Sequence, residues 1–491
     1  MGVFDSAVSA FNSAMSEEDG PSWARGLAGI FPLSALIDFI DIPNKIHIYE
    51  LTGAIPLWSW PVTPSGSRIL LSDQFAQKYC YLDEYGASMA SLALDGRYVD
   101  KYNTSCPETV RLCLASQPVR QIANNHQNMA GEDLRIQNLE IVRVVRLPGD
   151  EKNRVKNKPQ VAPWVSFSRG PAMSLRYWIV SISGWALLTG MIIMSGILEC
   201  YVALGFLVAI PATGLVISAL FGSRPRKLLI DSHSRYNRLV LVTKHMNHTD
   251  WIVFYGESTI VNSLLNRPLE PTGGPVPPLM VSFLRVLLRV LILGQWGLVI
   301  ASAALQGWDA FFVTFWLVFC IFLHAYLLPP SVGAKDWMRY NAGIQIERFG
   351  TKLSSRRALL NTIVALNPDS FALIPSTEND ADWSKFNRDA MRWVDPILAP
   401  GNSRSKWEDA TRQAMKEAAE KYKDDKLASS TWYDKGGSVL GEEWNTEYPN
   451  SSNYWKPFIL EGIHMAAKIR EEAALPGRTI SEQVTGQVAS F

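Results

Sequence analysis

Two histidines and an aspartate lie close together in the middle of the chain, at His245, His248 and Asp250. Residues 239–243 and 251–255 on either side are rich in Val, Leu, Ile and aromatic residues, which predicts two strands joined by this polar turn. A histidine in such a turn could deprotonate an acceptor hydroxyl, with the aspartate orienting its imidazole. Glu257, after the second predicted strand, is a further catalytic candidate. An ordinary hairpin turn, in which Asp250 caps the backbone, has the same composition.

The spacing from His245 to Asp250 is similar to the His-x4-Asp motif of glycerolipid acyltransferases, in which the histidine activates the acceptor hydroxyl. The resemblance is limited to these two residues. Lys244 occupies the position of the usual asparagine, and no later Pro-Glu-Gly-Thr-like block offers a phosphate site. Imidazole and carboxylate groups could also bind a divalent metal, but no second ligand pair follows at a recognised spacing. Acyl transfer, metal binding and a plain turn therefore stay open.

Other catalytic signatures are missing from the sequence. There is no GxSxG motif, no P-loop and no GxGxxG motif, which disfavours ATP- and NAD-driven chemistry. Asp380 and Asp382 form an Asp-x-Asp pair like that of sugar-nucleotide transferases, but a solvated acidic loop is the better explanation. The five cysteines include no Cys-x-x-Cys pair, so their spacing predicts neither a disulfide framework nor a zinc site. No cofactor is predicted.

The composition of the 491-residue chain indicates a membrane protein. Only 19% of the residues are charged and 47% are hydrophobic, and 17 Trp, 20 Phe and 16 Tyr are many for a soluble enzyme. The 47 Lys and Arg residues are balanced by 46 Asp and Glu residues, which excludes a polybasic nucleic-acid binder. We therefore expect the lipid bilayer, and no nucleic acid, as a partner.

The hydrophobic residues are concentrated in two blocks, residues 177–221 and 290–328, which predict two transmembrane hairpins. Glu199 and Asp309 are the only charges in these blocks, and each lies where the chain would turn. Each half of the first block has about 22 residues, or roughly 33 Å of helix, which is enough to cross a bilayer. Before the second block, one helical stripe carries two arginines that we expect to reach lipid headgroups, Arg285 and Arg289. The alternative is that they are functional charges within the membrane.

Basic residues flank the predicted spans on one side only. The hairpin turns contain no Lys or Arg, whereas basic residues precede the first span and follow the second and fourth, at Arg169, Arg176, Arg224, Arg226, Lys227, Lys335 and Arg339. By the positive-inside rule, both termini and the central segment lie in the cytosol, and the identity of the membrane stays open. The start of the chain lacks the pattern of a signal peptide. Residues 1–6 fit the N-myristoylation pattern, although so short a pattern also arises by chance.

The expected fold is an integral membrane protein with four transmembrane α-helices in two hairpins and an α+β cytosolic body. The body is expected to comprise an N-terminal segment, a central β-rich loop and a mainly helical C-terminal segment, at residues 1–173, 223–275 and 331–491. The hairpins are residues 174–222 and, with an interfacial helix, 276–330. Residues 141–145 favour a strand. Apolar spacing predicts a helix over residues 341–366, with Arg356 and Arg357 facing the membrane. It predicts another from Pro457, with Ile459, Ile463, Ala466 and Ile469 on one face.

Several runs of residues resemble a group of multispanning membrane proteins from filamentous fungi. The runs are residues 238–251, 254–259, 261–269 and 359–369 and the ending Leu475-Pro476-Gly477. The resemblance covers roughly the second half of the chain and implies a fungal origin and a multi-pass endomembrane topology, without a mechanism. Because such fungal proteins can accompany secondary-metabolite pathways, it also implies a lipophilic natural-product context.

Three functions are compatible with these features. The first is an endomembrane scaffold or accessory factor that acts on protein partners through its cytosolic body. The second is a membrane-bound enzyme that acts on a lipophilic small molecule at the cytosolic interface by acyl transfer or cyclisation, with the catalytic candidates named above. The third is a carrier, which would have to oligomerise because four spans with so few intramembrane charges offer little pathway.

Overall fold

A computed structural model of the chain describes residues 41–54, 56–72, 79–86, 91–124, 135–147, 174–222, 225–228, 234, 236–271, 277–305, 307–367, 388–402, 404–411 and 456–475. The pattern at residues 1–6 and the pair Asp380 and Asp382 lie outside the described residues. The chain divides into two compact units. Unit 1 comprises Met1–Ala87, Gly149–Leu228 and Leu269–Gly343, and unit 2 comprises Ser88–Pro148, Leu229–Pro268 and Ile344–Phe491. Each of the three segments predicted to form the cytosolic body contributes residues to both units.

The described part of the chain contains both helices and strands, and residues 404–411 are helical in addition to the elements named below. The helices are α1 (Ile42–Thr52), α2 (Pro64–Leu71), α3 (Tyr81–Tyr85), α4 (Pro107–Ala115), α5 (Leu175–Ile197), α6 (Tyr201–Ile217), α7 (Ser258–Leu265), α8 (Pro278–Leu305), α9 (Trp308–Phe322), α10 (Pro330–Asp336), α11 (Arg356–Leu366) and α12 (Lys456–Glu472). Wider π-helical turns continue α6, α9 and α10, at Ser218–Gly222, Leu323–Leu327 and Trp337–Ala342, and a 3₁₀ helix spans Arg388–Val394. The strands are β1 (Leu92–Asp95), β2 (Lys101–Asn103), β3 (Val119–Gln121), β4 (Gln137–Arg146), β5 (Arg226–Lys227), β6 (Asn237–Thr243), β7 (Asp250–Glu257), β8 (Glu270–Pro271) and β9 (Ile344–Leu353).

Four helices of unit 1 are long and apolar enough to cross a membrane, as the two apolar blocks predict. They are α5, α6 with its extension, α8, and α9 with its extension, and they have between 20 and 28 residues. Among the described residues, the large hydrophobic side chains that are exposed lie on these helices, apart from Tyr98, Ile136, Tyr236 and Tyr340. Apolar surface of this extent needs an apolar covering. The helix α8 is continuous through the stretch predicted as an interfacial helix.

A segment of irregular chain lies inside this group of helices. Residues 56–63, which connect α1 to α2, pass between the four long helices. The ring of Trp58 is fully buried and packs on Trp316 and Phe319 of α9, with ring centroids 5.9 Å apart in both pairs. A Cβ atom at Gly184 of α5 would lie 1.8 Å from the Trp58 ring, so the close approach of α5 to this segment requires glycine.

Side chains of the long helices satisfy the backbone of this segment. Gln295 of α8 accepts a hydrogen bond from the Val62 N–H (3.0 Å) and donates to the Trp60 carbonyl (3.2 Å). The same amide donates to the Thr213 hydroxyl of α6 (2.7 Å), which fixes its orientation. Irregular backbone among apolar helices is tolerated where protein groups replace water as its partners, and Gln295 does so here.

The helix α1 is attached to the end of α9. It begins at an Asp41 cap and ends at Gly53, whose φ of 70° is left-handed and favours glycine. The ammonium group of Lys45, in the middle of α1, donates to the carbonyls of His324 (3.2 Å) and Leu328 (2.6 Å). A cation is favourable at a helix C-terminus, where the last carbonyls have no partners within the helix. This contact anchors α1, and with it the segment that follows.

Unit 2 is built on a seven-stranded mixed sheet with the strand order β2-β1-β6-β7-β4-β9-β3. The pairs β4 with β7 and β3 with β9 are parallel, and the other neighbours are antiparallel. Strands predicted at residues 141–145, 239–243 and 251–255 are confirmed. The helices α11 and α12 form a core with the sheet, and the predicted apolar face of α12 is confirmed because Ile459, Ile463, Ala466 and Ile469 are all buried in it.

The helix predicted over residues 341–366 is wrong in its first half. Ile344–Leu353 forms β9, which pairs with β4 along its whole length, and the helix begins only at Arg356. In the run Ile344-Gln345-Ile346, apolar and polar residues alternate with the period of a strand. Pairing with a neighbouring strand outweighs the helical spacing that a longer window suggests.

Candidate functional site

One edge of the sheet in unit 2 brings together the His-containing turn and the start of α11. The parallel strands β4 and β7 begin side by side, with Asn138 opposite Asp250. The antiparallel strand β9 ends at the same edge, with Leu353 opposite Gln137. The turn between β6 and β7 and the loop into α11 therefore emerge next to each other.

The turn carries the predicted histidines, and both make local contacts. His245 is exposed, and its Nδ1 accepts a hydrogen bond from the Asn247 N–H (3.2 Å). His248 accepts from the Asp250 N–H at its Nδ1 (2.9 Å), which lies 3.3 Å from the Asp250 carboxylate. The two imidazoles are nearly perpendicular, with centroids 5.1 Å apart. The aspartate thus contacts His248, whereas the predicted catalytic pair consists of His245 and Asp250.

Glu257 lies at the opposite end of β7 from Asp250. Seven residue steps separate the two, or about 23 Å of strand, so the structure does not bring Glu257 to the histidines. Its carboxylate accepts two hydrogen bonds from Arg146 (2.8 and 3.0 Å) and one from the Thr259 hydroxyl (2.7 Å). Burial alone would raise the pKa of Glu257, but the hydrogen bonds from Arg146, Thr259 and the backbone outweigh it and lower the pKa. Glu257 is therefore an ionised partner of Arg146.

A cleft of about 460 Å³ opens beside the turn, and three arginines line it: Arg135, Arg356 and Arg357. We call it the arginine cleft. His248 and Asn247 of the turn, with Gln137 and Ser355, add polar groups to its wall. None of the described residues that line it is acidic. The cleft therefore has a positive potential and several hydrogen-bond donors.

Two of these arginines occupy the first turn of α11, where positive charge is electrostatically unfavourable. The Ser355 side chain caps the helix by accepting a hydrogen bond from the Ala358 N–H (3.3 Å), and Arg356 and Arg357 follow directly. The N-terminus of a helix carries a partial positive charge, so acidic residues are the stabilising choice there. Basic residues that occupy a helix N-terminus against this preference are typical of a functional position.

The guanidinium group of Arg356 is held in place by the turn. It donates to the Met246 carbonyl and to the Asn247 side chain (3.3 Å), and it lies over the Trp251 ring at 5.5 Å from the centroid. Its Nε is buried and has no hydrogen-bond partner among the described residues. Burial, and then the charge of Arg135, lower the pKa of Arg356. Burial likewise lowers the pKa of Arg357. A bound anion would offset the cost of burying these positive charges.

Arg285 and Arg289, predicted to contact lipid headgroups, lie in the first half of α8 and are half-buried. Arg289 donates to the carbonyl of Leu71 (3.2 Å), the last residue of α2. The guanidinium therefore has a protein partner at a helix C-terminus, a favourable place for a cation. The lipid contact of both arginines stays a prediction.

Three buried side chains in unit 1 could hold a metal ion: His47, Cys80 and Asp83. Their ligand atoms all lie within 4.8 Å of one another. Cysteine and histidine spacing does not detect this group, because the imidazole belongs to α1 and the other two residues lie 33 or more positions further along the chain. All five cysteines are buried thiols in the described residues.

Comparison with protein-family models, with curated proteins and with solved structures finds no match to this chain. The resemblance to fungal membrane proteins therefore stays a prediction.

Proposed function

We propose that the chain is a multi-pass membrane protein that acts as an accessory binding factor, and that its arginine cleft binds a phosphate-bearing ligand. The observation that carries this proposal is the convergence of Arg135, Arg356 and Arg357 on one cleft whose lining, among the described residues, includes no acidic side chain. Guanidinium groups are the preferred protein partners of phosphate, because their donors match two of its oxygens at once.

The size of the cleft favours a small ligand. A volume of about 460 Å³ lies within the range of about 300–1,000 Å³ typical of small-molecule sites. The N-terminus of α11 adds backbone N–H groups that have no partner within the helix, an arrangement that suits anions. The apolar wall formed by Leu360, Ile397 and Leu398 offers contacts for the rest of such a ligand.

The membrane part of the proposal is supported by the four long apolar helices and their exposed apolar side chains. The distribution of Lys and Arg favours an orientation with the hairpin turns in the lumen and both termini in the cytosol. In this orientation, the arginine cleft of unit 2 would be accessible to ligands in the cytosol.

Acyl transfer requires a histidine that is oriented by an acidic group and reaches a substrate. His248 lines the cleft, but its Nδ1 accepts a hydrogen bond from the Asp250 N–H and so has no proton to donate to the Asp250 carboxylate. His245 is exposed and hydrogen-bonds to the turn. Binding of a phosphate group needs no catalytic histidine, because the three arginines already line the cleft. We therefore favour a binding role, and the enzyme and carrier hypotheses stay predictions.

The proposal is tested by titrating the full-length protein, in nanodiscs of phosphatidylcholine, with inorganic pyrophosphate. We expect saturable binding that weakens as salt is added. Arg356→Ala and Arg357→Ala each remove charged hydrogen bonds worth about 1.5–3 kcal/mol, so affinity should fall about 10- to 150-fold. Lys352→Ala removes an exposed charge of β9 outside the cleft and serves as the matched control.

A second arm distinguishes a soluble phosphate from a lipid headgroup. Nanodiscs that also contain phosphatidic acid are titrated with pyrophosphate in the same way. Competition by the lipid would identify the ligand as a phospholipid headgroup, and unchanged binding would identify a soluble phosphate compound. Absence of saturable binding, or equal affinity of the wild type and both arginine variants, would overturn the proposal.

A further inference from the structure

The group formed by His47, Cys80 and Asp83 in unit 1 has the composition of a transition-metal site. His47 is 0% exposed, Cys80 is 1% exposed, and the Asp83 side chain is fully buried. Imidazole, thiolate and carboxylate are the three ligand types that zinc uses in proteins.

The separation of His47 and Asp83 is compatible with a shared metal ion. His47 Nε2 lies 3.9 Å from the nearer Asp83 oxygen, which is too long for a hydrogen bond. Ligand bonds of 2.0–2.3 Å in a tetrahedral zinc site place neighbouring ligand atoms about 3.3–3.8 Å apart. Because no two of the three ligand atoms are more than 4.8 Å apart, each pair would have to move closer by about 1–1.5 Å at most.

A second contact holds the two elements that carry these ligands. Glu50 follows His47 by three residues on α1, and its carboxylate accepts a hydrogen bond from the Tyr81 N–H (2.8 Å) next to Cys80. Glu50 is buried, with 5% of its surface exposed. The contact between Glu50 and Tyr81 therefore holds α1 close to the residues around Cys80.

The same three residue types could serve as a nucleophile, a base and an orienting group. Such a role requires a thiol that a substrate can reach, and Cys80 is almost completely buried. A bound metal ion needs no open path for a substrate. Burial thus favours a structural role.

We infer that His47, Cys80 and Asp83 bind one zinc ion that joins α1 to α3. The fourth coordination position would be taken by water. The ion would fix α1, and therefore the residues that lead from α1 into the group of long helices. This inference concerns unit 1 and does not depend on ligand binding in the arginine cleft.

The test measures metal in the full-length protein, purified in detergent without chelators and dialysed against zinc. Mass spectrometry of the metal content should find about one zinc per chain in the wild type, as a single site requires. Cys80→Ser and His47→Gln should hold much less than one equivalent. Cys113→Ser, which replaces a buried thiol of unit 2, is the matched control and should keep the zinc.

Cobalt substitution keeps the inference falsifiable if a variant folds poorly. Cobalt in the wild type should show a thiolate-to-metal charge-transfer band, which requires Cys80 and should persist in Cys113→Ser. A chelator should lower the melting temperature of the wild type but not that of Cys80→Ser. Wild-type protein that binds no zinc after dialysis, or Cys80→Ser protein that retains the zinc, would overturn the inference.

Discussion

Gln295 fixes residues 60–62 between the long helices, and its replacement by leucine tests that arrangement. Gln295→Leu keeps the approximate size of the side chain but removes hydrogen bonds to Val62, Trp60 and Thr213. Gln295 is only 1% exposed, so water cannot replace the lost partners. At about 0.6–1.5 kcal/mol for each of three bonds, we expect a loss of about 2–4 kcal/mol in the free energy of unfolding.

The measurement is thermal unfolding of the full-length protein in detergent, with limited proteolysis as a second readout. Ser302→Ala on the same helix is the matched control, because the Ser302 hydroxyl donates to the Val299 carbonyl of its own helix. The melting temperature of Gln295→Leu should fall by roughly 4–16 °C, and residues 56–63 should become cleavable. Equal melting temperatures and equal protease resistance of the two variants would refute the reasoning.

Three further substitutions have defined outcomes. Gly184→Leu would occupy the space of the Trp58 ring and should cost about 3 kcal/mol in thermal unfolding. A Cβ atom at Gly190 of the same helix meets nothing within 4 Å, so Gly190→Leu should melt like the wild type. Arg238→Met leaves the buried Asp95 of unit 2 without its ion-pair partner and should cost about 3–5 kcal/mol in denaturant unfolding. A loss of less than 1 kcal/mol, which is typical of an exposed ion pair, would contradict this. Burial raises the pKa of Glu461 above the ordinary carboxyl value, so the folded state binds this proton more tightly than the unfolded state. Stability should therefore fall as the pH rises through the pKa of the folded state, and Glu461→Gln should flatten that part of the measured pH profile.

The sequence predicts those helices and strands that a short run of neighbouring residues determines. The long helices follow from composition, because residues 177–221 carry a single charge. The strands β6 and β7 follow from short runs of β-branched and aromatic residues around a polar turn. The first half of the helix predicted over residues 341–366 fails because β9 is defined by its pairing with β4, and a single sequence does not reveal which strands pair.

The candidate sites depend on contacts between distant parts of the chain. The arginine cleft combines Arg135, before β4, with Arg356 and Arg357, which lie more than 200 positions later. One local signal was present, since two arginines directly after the Ser355 cap occupy the turn where acidic residues are expected. The segment at residues 56–63 has no periodic pattern, and its placement follows from partners such as Gln295.

The contact between Lys45 and the end of α9 has a consequence for biosynthesis. The two residues it joins, Lys45 and Leu328, are 283 positions apart. A ribosome that adds about 5–20 residues per second needs roughly 14–57 s to make that stretch. During this interval α1 and the aromatic segment behind it have been made, whereas the helices that receive them have not. Completion of unit 1 therefore has to follow translation of α9, and a chaperone or the insertion machinery is expected to shield Trp58 until then.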